Sequence, residues 1–123
     1  MGVIRGIDKY YLMRHAIAMV HMALWESYGN VLREGMSQGL ICITSNVYNM
    51  PLLVKDGTNG FLVPSGDYKL MAAKMIMLLN DRTLRHQMGN EGFSIQSNNF
   101  LDDDMVNSIE ELYNHLIKSQ ATK

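Results

Sequence analysis

The chain has 123 residues, of which 47% are hydrophobic and 19% charged, so it fits one globular domain and is not a disordered segment. Eleven basic residues against twelve acidic ones give a net charge of -1. Nucleic acid is therefore excluded as the main partner, because non-specific binding to it needs clustered basic charge.

Two kinds of apolar pattern alternate along the chain. Short, nearly continuous apolar runs predict strands that are buried on both faces. Apolar residues spaced three and four apart, behind capping residues, predict amphipathic helices. The predicted elements, in chain order, are a helix over 8–16 started by Asp8, a buried strand over 17–22, a helix over 30–38, a strand over 40–44, a short helix opened by Pro51, a strand over 61–63, a helix behind Asp67, a helix behind Asp81 and a last helix behind Asp102 to Asp104.

The last helix is predicted to pack one face onto the body of the domain. Its apolar residues recur at spacings of four, three and four, namely Met105, Ile109, Leu112 and Leu116. We expect a single domain over 1–118 and a frayed tail over 119–123.

Strands separated by helices predict βα units and a parallel sheet. The expected fold class is therefore α/β, a Rossmann-like parallel sheet of about three to four strands flanked by helices. In such a sheet ligands bind beyond the carboxyl ends of the strands, where helix N-termini present free amides.

The turn after the first predicted strand is such a place. It contains Glu26, Ser27, Tyr28, Gly29 and Asn30, and Glu34 follows about one turn into the next helix. Backbone amides of this turn suit a phosphate, and carboxylates accept hydrogen bonds from sugar hydroxyls. Taken alone, the spacing is weak evidence for a site and favours Glu26 as an exposed loop charge and Glu34 as an ordinary helical residue.

The cysteine and histidine content gives little chemistry. The single cysteine, Cys42, lies in an apolar run and is typical of a buried side chain in a reduced compartment. His15 and His21 lack the partner spacing of a zinc site, so no metal is expected. No run approaches the roughly 18 apolar residues that a membrane span needs. We expect a cytoplasmic chain, and contact with the inner face of a membrane stays open.

Several motifs occur in a fixed order: Glu26, seven residues and Glu34, then Gly35 and Met36, and later the turn D-G-T-N-G over 56–60. This order resembles the C-terminal domain of family 4 retaining glycosyltransferases, over about Tyr11 to Leu116. The resemblance implies a GT-B architecture, in which two Rossmann-like domains face one another across a cleft. It also implies a metal-independent reaction with no cofactor, the nucleotide-sugar donor being a substrate.

The resemblance also implies roles for individual residues. Glu26 matches the first glutamate of the family, the catalytic position, which contacts the donor sugar beside the reacting carbon. Glu34 matches the second, which binds the ribose hydroxyls. Ser27, Tyr28, Gly29 and Asn30 match the segment whose amides approach the diphosphate and sugar.

The chain departs from the family pattern at three places. Ala23 stands where a serine is usual, Tyr48 and Asn49 where a glycine pair is usual, and Leu52 where a glutamate is usual. The basic pair that neutralises the diphosphate in the family lies upstream of the matching region. The donor-binding domain is thus expected to be incomplete on its N-terminal side.

Two functions follow as hypotheses. The first is the donor-binding domain of a hexosyltransferase-type enzyme of cell-surface polysaccharide or glycolipid synthesis, inactive alone. Its partners would be a nucleotide-diphosphate sugar, a missing N-terminal acceptor domain and, for the full enzyme, a membrane surface. The alternative is a non-catalytic interaction module that forms a homo-oligomer through an exposed sheet edge.

Overall fold

A computed structural model describes residues 2–25, 29–100 and 103–121, with side chains described over 2–25, 29–98 and 110–119. The elements are α1 Ile7–His15, β1 Ala18–His21, α2 Asn30–Ser37, β2 Ile41–Ser45, α3 Met50–Leu53, β3 Gly60–Val63, α4 Tyr68–Asn80, α5 Arg82–Phe100 and α6 Asp103–Ala121.

The three described strands form one parallel sheet in the order β1-β2-β3. Val20 pairs with Ile43, and Ile43 pairs with Phe61. The central strand β2 is buried along its whole length, as its apolar run predicts. The predicted α/β fold with a parallel sheet flanked by helices is confirmed.

The core lies on both faces of β2, because successive side chains of a strand point to opposite faces. Cys42 faces α2 and α3, while Ile41 and Ile43 face α4 and α5. The first apolar cluster consists of Leu32, Met36, Cys42, Met50, Leu53 and Val54. The second consists of Ile41, Ile43, Phe61, Val63, Leu78 and Met88.

The first strand is less buried than predicted. β1 pairs with β2 along one side, and in the described part of the chain no strand pairs with its other side. Val20 is 39% exposed, which contradicts a strand buried on both faces. The reason is that the burial of a strand depends on which helices and strands pack beside it, and its own sequence does not determine this. A groove of about 220 Å³ remains, lined by Ile17, Ala18, Val20, Met75 and Leu79.

The D-G-T-N-G turn has a structural function that the sequence interpretation did not assign. The buried Asn59 accepts a hydrogen bond from the Lys55 amide at 2.7 Å and donates one to the Leu53 carbonyl at 3.0 Å. A Cβ at Gly60 would overlap the carbonyl oxygen of Cys42. Gly60 thus allows β3 to approach β2 closely, and Asn59 holds the loop between α3 and β3 in place.

Two predicted helix caps are present. Asp67 accepts a hydrogen bond from the Leu70 amide at 3.0 Å, and Asp81 accepts one from the Leu84 amide at 2.9 Å. These local signals gave the starts of α4 and α5. By contrast, α1 begins at Ile7 behind Gly6, so Asp8 lies in the first turn and is not the cap.

The last helix does not pack as predicted over its described side chains. Leu112 and Leu116 are 58% and 50% exposed, because no described element lies over this face. Met105 and Ile109 belong to the same stripe, and their side chains lie outside the described residues. The helix extends to Ala121, into the segment expected to be a frayed tail. Among the described helices, none is long and apolar enough to cross a membrane.

Candidate functional site

The carboxyl ends of the three strands meet at one edge of the sheet. The strands end at His21, Ser45 and Val63, and they run parallel. α2 follows β1 and returns to the start of β2, so its N-terminus lies at this carboxyl edge. This is the position at which open parallel sheets bind ligands.

The first turn of α2 places backbone N–H groups at the N-terminus of the helix. The carbonyl of Gly29 accepts hydrogen bonds from the amides of Leu32 at 3.0 Å and Arg33 at 3.1 Å. Within the described part of the chain, the amides of Asn30 and Val31 donate to no acceptor. Free first-turn amides and the positive end of the helix dipole favour an anion at this place.

Gly29 is favoured by its backbone conformation and by the side chains packed around it. It caps α2 in the left-handed region, with φ 61° and ψ 36°. A Cβ there would lie 2.7 Å from Cδ1 of Leu53 and 2.9 Å from Cε of Met50. Because α3 already fills this space, the packing gives the glycine a reason independent of any ligand.

Glu34 forms an ion pair that the sequence interpretation missed. Nζ of Lys9 lies 2.8 Å from Oε2 of Glu34, with the two side chains 30% and 36% exposed. The hydrogen bond from Lys9 to this carboxylate raises the pKa of the lysine. No periodic pattern links α1 with α2, so the sequence carries no signal for this contact.

The structure describes half of the residues predicted for the site. Gly29 is buried, Asn30 is exposed, and Glu34 is partly exposed on the same helix. Asn30 and Glu34 are four residues apart, which places them on one face of α2. Glu26, Ser27 and Tyr28 lie outside the described residues, so their approach to Glu34 stays a prediction.

Two hydroxyls at the end of β2 fix the chain as it leaves β1. Ser45 Oγ donates to the Ala23 carbonyl at 2.6 Å and accepts from the Ala23 amide at 3.0 Å. Thr44 Oγ1 donates to the His21 carbonyl at 2.9 Å. Both hydroxyl residues are fully buried, and a buried hydroxyl needs a partner. Thr44 and Ser45 thereby position the segment that leads to Glu26. The only sign of this role in the sequence is that two hydroxyl residues end a buried strand and need hydrogen-bond partners there.

The cysteine and one histidine considered in the sequence analysis have environments that explain them without a ligand. Burial raises the pKa of the Cys42 thiol to about 12, so it stays neutral. The ring of His15 bonds to the carbonyl of Tyr11 at 2.8 Å. In the part of the chain that the structure describes, no three histidine, cysteine, aspartate or glutamate side chains are grouped to hold a metal ion.

The fold is that of a parallel α/β domain, and comparison with known proteins identifies the family. A family model described as "Glycosyl transferases group 1" matches residues 3–94. The chain belongs to this glycosyltransferase family.

Individual relatives agree with this assignment. The chain is 34% identical over 98 residues to the capsular polysaccharide biosynthesis glycosyltransferase CapM of Staphylococcus aureus, covering 80% of the chain and 26% of CapM. It is 25% identical to the structure of sucrose-phosphate synthase from Thermosynechococcus elongatus, with a TM-score of 0.75, covering 89% of the chain and 28% of that protein.

A further solved structure has the same fold. Anabaena HepE, determined in complex with UDP, is 23% identical with a TM-score of 0.75, and the match covers 85% of the chain and 29% of HepE. These likenesses confirm the GT-B-like fold that the motifs imply. The chain spans about a quarter of the length of the curated relatives it matches.

Proposed function

We propose that the chain is the donor-binding part of a family 4 retaining glycosyltransferase, which transfers a sugar from a nucleotide-diphosphate sugar to an acceptor. The observation that carries the proposal is the N-terminus of α2, where the amides of Asn30 and Val31 have no described acceptor and Glu34 lies one turn further on. A diphosphate fits the amides, and ribose hydroxyls fit the carboxylate.

The proposed chemistry follows from charge. Glu26 would contact the donor sugar beside the reacting carbon, and the free amides would face the diphosphate. As the bond between the sugar carbon and the phosphate oxygen breaks, negative charge grows on the leaving group. Fixed amide dipoles stabilise such charge without reorganising. Retention of the anomeric configuration is proposed from the resemblance to retaining glycosyltransferases.

Lys9 supplies a positive charge to the same region. α1 precedes β1, so the N-terminal end of α1 lies toward the carboxyl edge. There Lys9 reaches Glu34 from outside α2. In the proposed complex Lys9 holds the Glu34 carboxylate in place and partly offsets the charge of the bound diphosphate.

The relatives support the substrate class and the setting. CapM acts in capsular polysaccharide biosynthesis, and HepE was crystallised with UDP. We propose by analogy a nucleotide-sugar donor, a role in polysaccharide or glycolipid synthesis, and a cytoplasmic location at the membrane face. Transfer would require a further acceptor-binding domain, so this chain alone is expected to bind the donor and not to turn it over.

Titration calorimetry with nucleotide diphosphates and nucleotide sugars tests this function. We expect saturable binding of one ligand per site to the folded chain, weakened by Glu34→Gln and unchanged by Glu111→Gln, which alters an exposed glutamate on α6. If no diphosphonucleotide binds at millimolar concentration to a folded sample, the chain has no working donor site.

The exposed edge of β1 favours one alternative function, a non-catalytic module that pairs with a second copy of itself. The unpaired side of β1 and the groove beside Val20 are the supporting observations. Sedimentation should then show dimers that Val20→Lys dissociates. A monomer at high concentration would contradict this alternative.

A further inference from the structure

We propose that Trp25 and Tyr48 form an aromatic corner that holds the sugar ring of the donor, an inference that rests on the proposed donor-binding function. The two ring centroids lie 6.0 Å apart with their planes at 72°. Trp25 belongs to the segment after β1, and Tyr48 to the loop after β2. Both strands end at the carboxyl edge, so the corner lies at the candidate site, next to the predicted donor loop that begins at Glu26.

Neither ring is explained by packing within the described chain. Trp25 and Tyr48 are each 66% exposed, although they meet edge to face. Exposure alone does not distinguish these rings, since Tyr113 is 64% exposed, but the two rings meet at the edge of the sheet where parallel α/β domains bind ligands. Exposed rings at the edge where ligands bind are therefore available to a ligand.

The backbone of Tyr48 is strained. Its φ is 44°, and among the described residues it is the only non-glycine with a positive φ. The loop is held there by hydrogen bonds from the Val47 amide to the Ser45 carbonyl at 2.9 Å and from the Met50 amide to the Val47 carbonyl at 3.0 Å. A glycine would take this conformation without strain. Strained residues with exposed side chains are characteristic of binding sites.

The shape of the corner selects the ligand. A flat nucleobase is held best between parallel ring faces, whereas planes at 72° form an L. A saturated pyranose ring is puckered and carries apolar C–H groups on two sides, so it fits an L-shaped corner. The phenol of Tyr48 adds one donor and acceptor for a sugar hydroxyl. The corner therefore recognises the sugar and not the base.

The experiment uses the 123-residue chain and compares UDP with UDP-glucose, UDP-galactose and UDP-N-acetylglucosamine. Trp25 is the only tryptophan of the chain, so its fluorescence reports directly on the corner. We expect at least one UDP-sugar to change this emission more than UDP does. Tyr48→Gly should weaken that UDP-sugar about fivefold and leave UDP unchanged.

Thermal stability separates a binding role from a structural one. Because Tyr48→Gly relieves the positive φ, the melting temperature should not fall, and Tyr48→Asn, which also tolerates this conformation, gives a second ring-free variant. Tyr113→Ala is the matched control, since this tyrosine on α6 is 64% exposed. It should change neither affinity.

Two results would overturn the inference. In the first, UDP binds and UDP-sugars bind, but both ring-free variants leave the ratio of the two affinities unchanged. In the second, no nucleotide binds to the folded chain, and then the proposed function fails together with the corner. A change confined to UDP-sugars supports the corner.

Discussion

Nζ of Lys9 on α1 lies 2.8 Å from Oε2 of Glu34 on α2, and this contact joins two helices at the carboxyl edge of the sheet. It fixes the carboxylate that we propose for ribose binding. A single surface pair of this kind contributes little to stability, so its expected importance is in orienting Glu34.

The ion pair gives a pH-dependent prediction. The hydrogen bond to Glu34 raises the pKa of Lys9 above its ordinary value of 10.5, so the pair is present below that pH and is lost as the pH rises through the raised value. Lys9→Met should lower the melting temperature slightly at pH 8, and this difference should be smaller at a pH well above 10.5, where Lys9 loses its proton. Lys69→Met, at another exposed lysine, is the control. An equal difference at both pH values would argue against the pair.

Two glycines with positive φ separate packing from backbone strain. Gly29→Ala adds a Cβ 2.7 Å from Leu53 Cδ1, whereas Gly57→Ala, at φ 79°, adds one in open space. Both variants should lose about 1 kcal/mol from the backbone, and Gly29→Ala up to about 1 kcal/mol more, because the ends of the Leu53 and Met50 side chains must shift. Urea unfolding measures the difference. Equal losses would mean that α3 does not pack against Gly29 as described.

The buried side-chain amide of Asn59 should contribute more to the free energy of unfolding than the other side chains of its turn. Asn59→Ala leaves the Lys55 amide and the Leu53 carbonyl without their partner, so we expect a loss of about 2–4 kcal/mol in the free energy of unfolding. Thr58→Ala, at an exposed position of the turn, should cost less than about 0.5 kcal/mol. Similar values for the two variants would contradict the assigned hydrogen bonds.

The Cys42 thiol should be unreactive in the folded protein. Burial raises its pKa to about 12 from 9.0, so almost no thiolate exists at pH 8. A thiol reagent such as dithiobisnitrobenzoate should react only as fast as the chain unfolds, and in urea it should react at once. Rapid labelling without denaturant would contradict the buried position.

The same thiol gives a pH dependence of stability. Above pH 9.0 the thiol ionises in the unfolded chain but not in the folded one, so the free energy of unfolding should fall with rising pH.

Much of the fold was predictable because its signals are local. Asp67 and Asp81 are caps that act within three residues, and the apolar run of β2 reports burial on both faces. The exposure of β1 and of α6 was not predictable, because it depends on which elements lie beside them. A continuous apolar run shows that both faces of a strand can be buried. It does not show that other elements of the fold cover them.

The site was predictable only in part. Its position followed from parallel strands and from a glycine before a helix, which are general features of α/β sheets. The contact of Lys9 with Glu34 and the anchoring of Ala23 by Ser45 join distant segments, and no spacing rule reaches them. Family motifs carried the roles of Glu26 and Glu34, which physical spacing alone left undecided.

Amide NMR spectra of the labelled chain during titration with UDP test the donor site most directly. A donor site at α2 predicts the largest shift changes at the backbone amides of Gly29, Asn30 and Val31, and a weaker response in Glu34→Gln. Changes confined to the amino ends of the strands, where Ala16, Gly39, Arg82, Arg85 and His86 line a cavity, would contradict a donor site at α2.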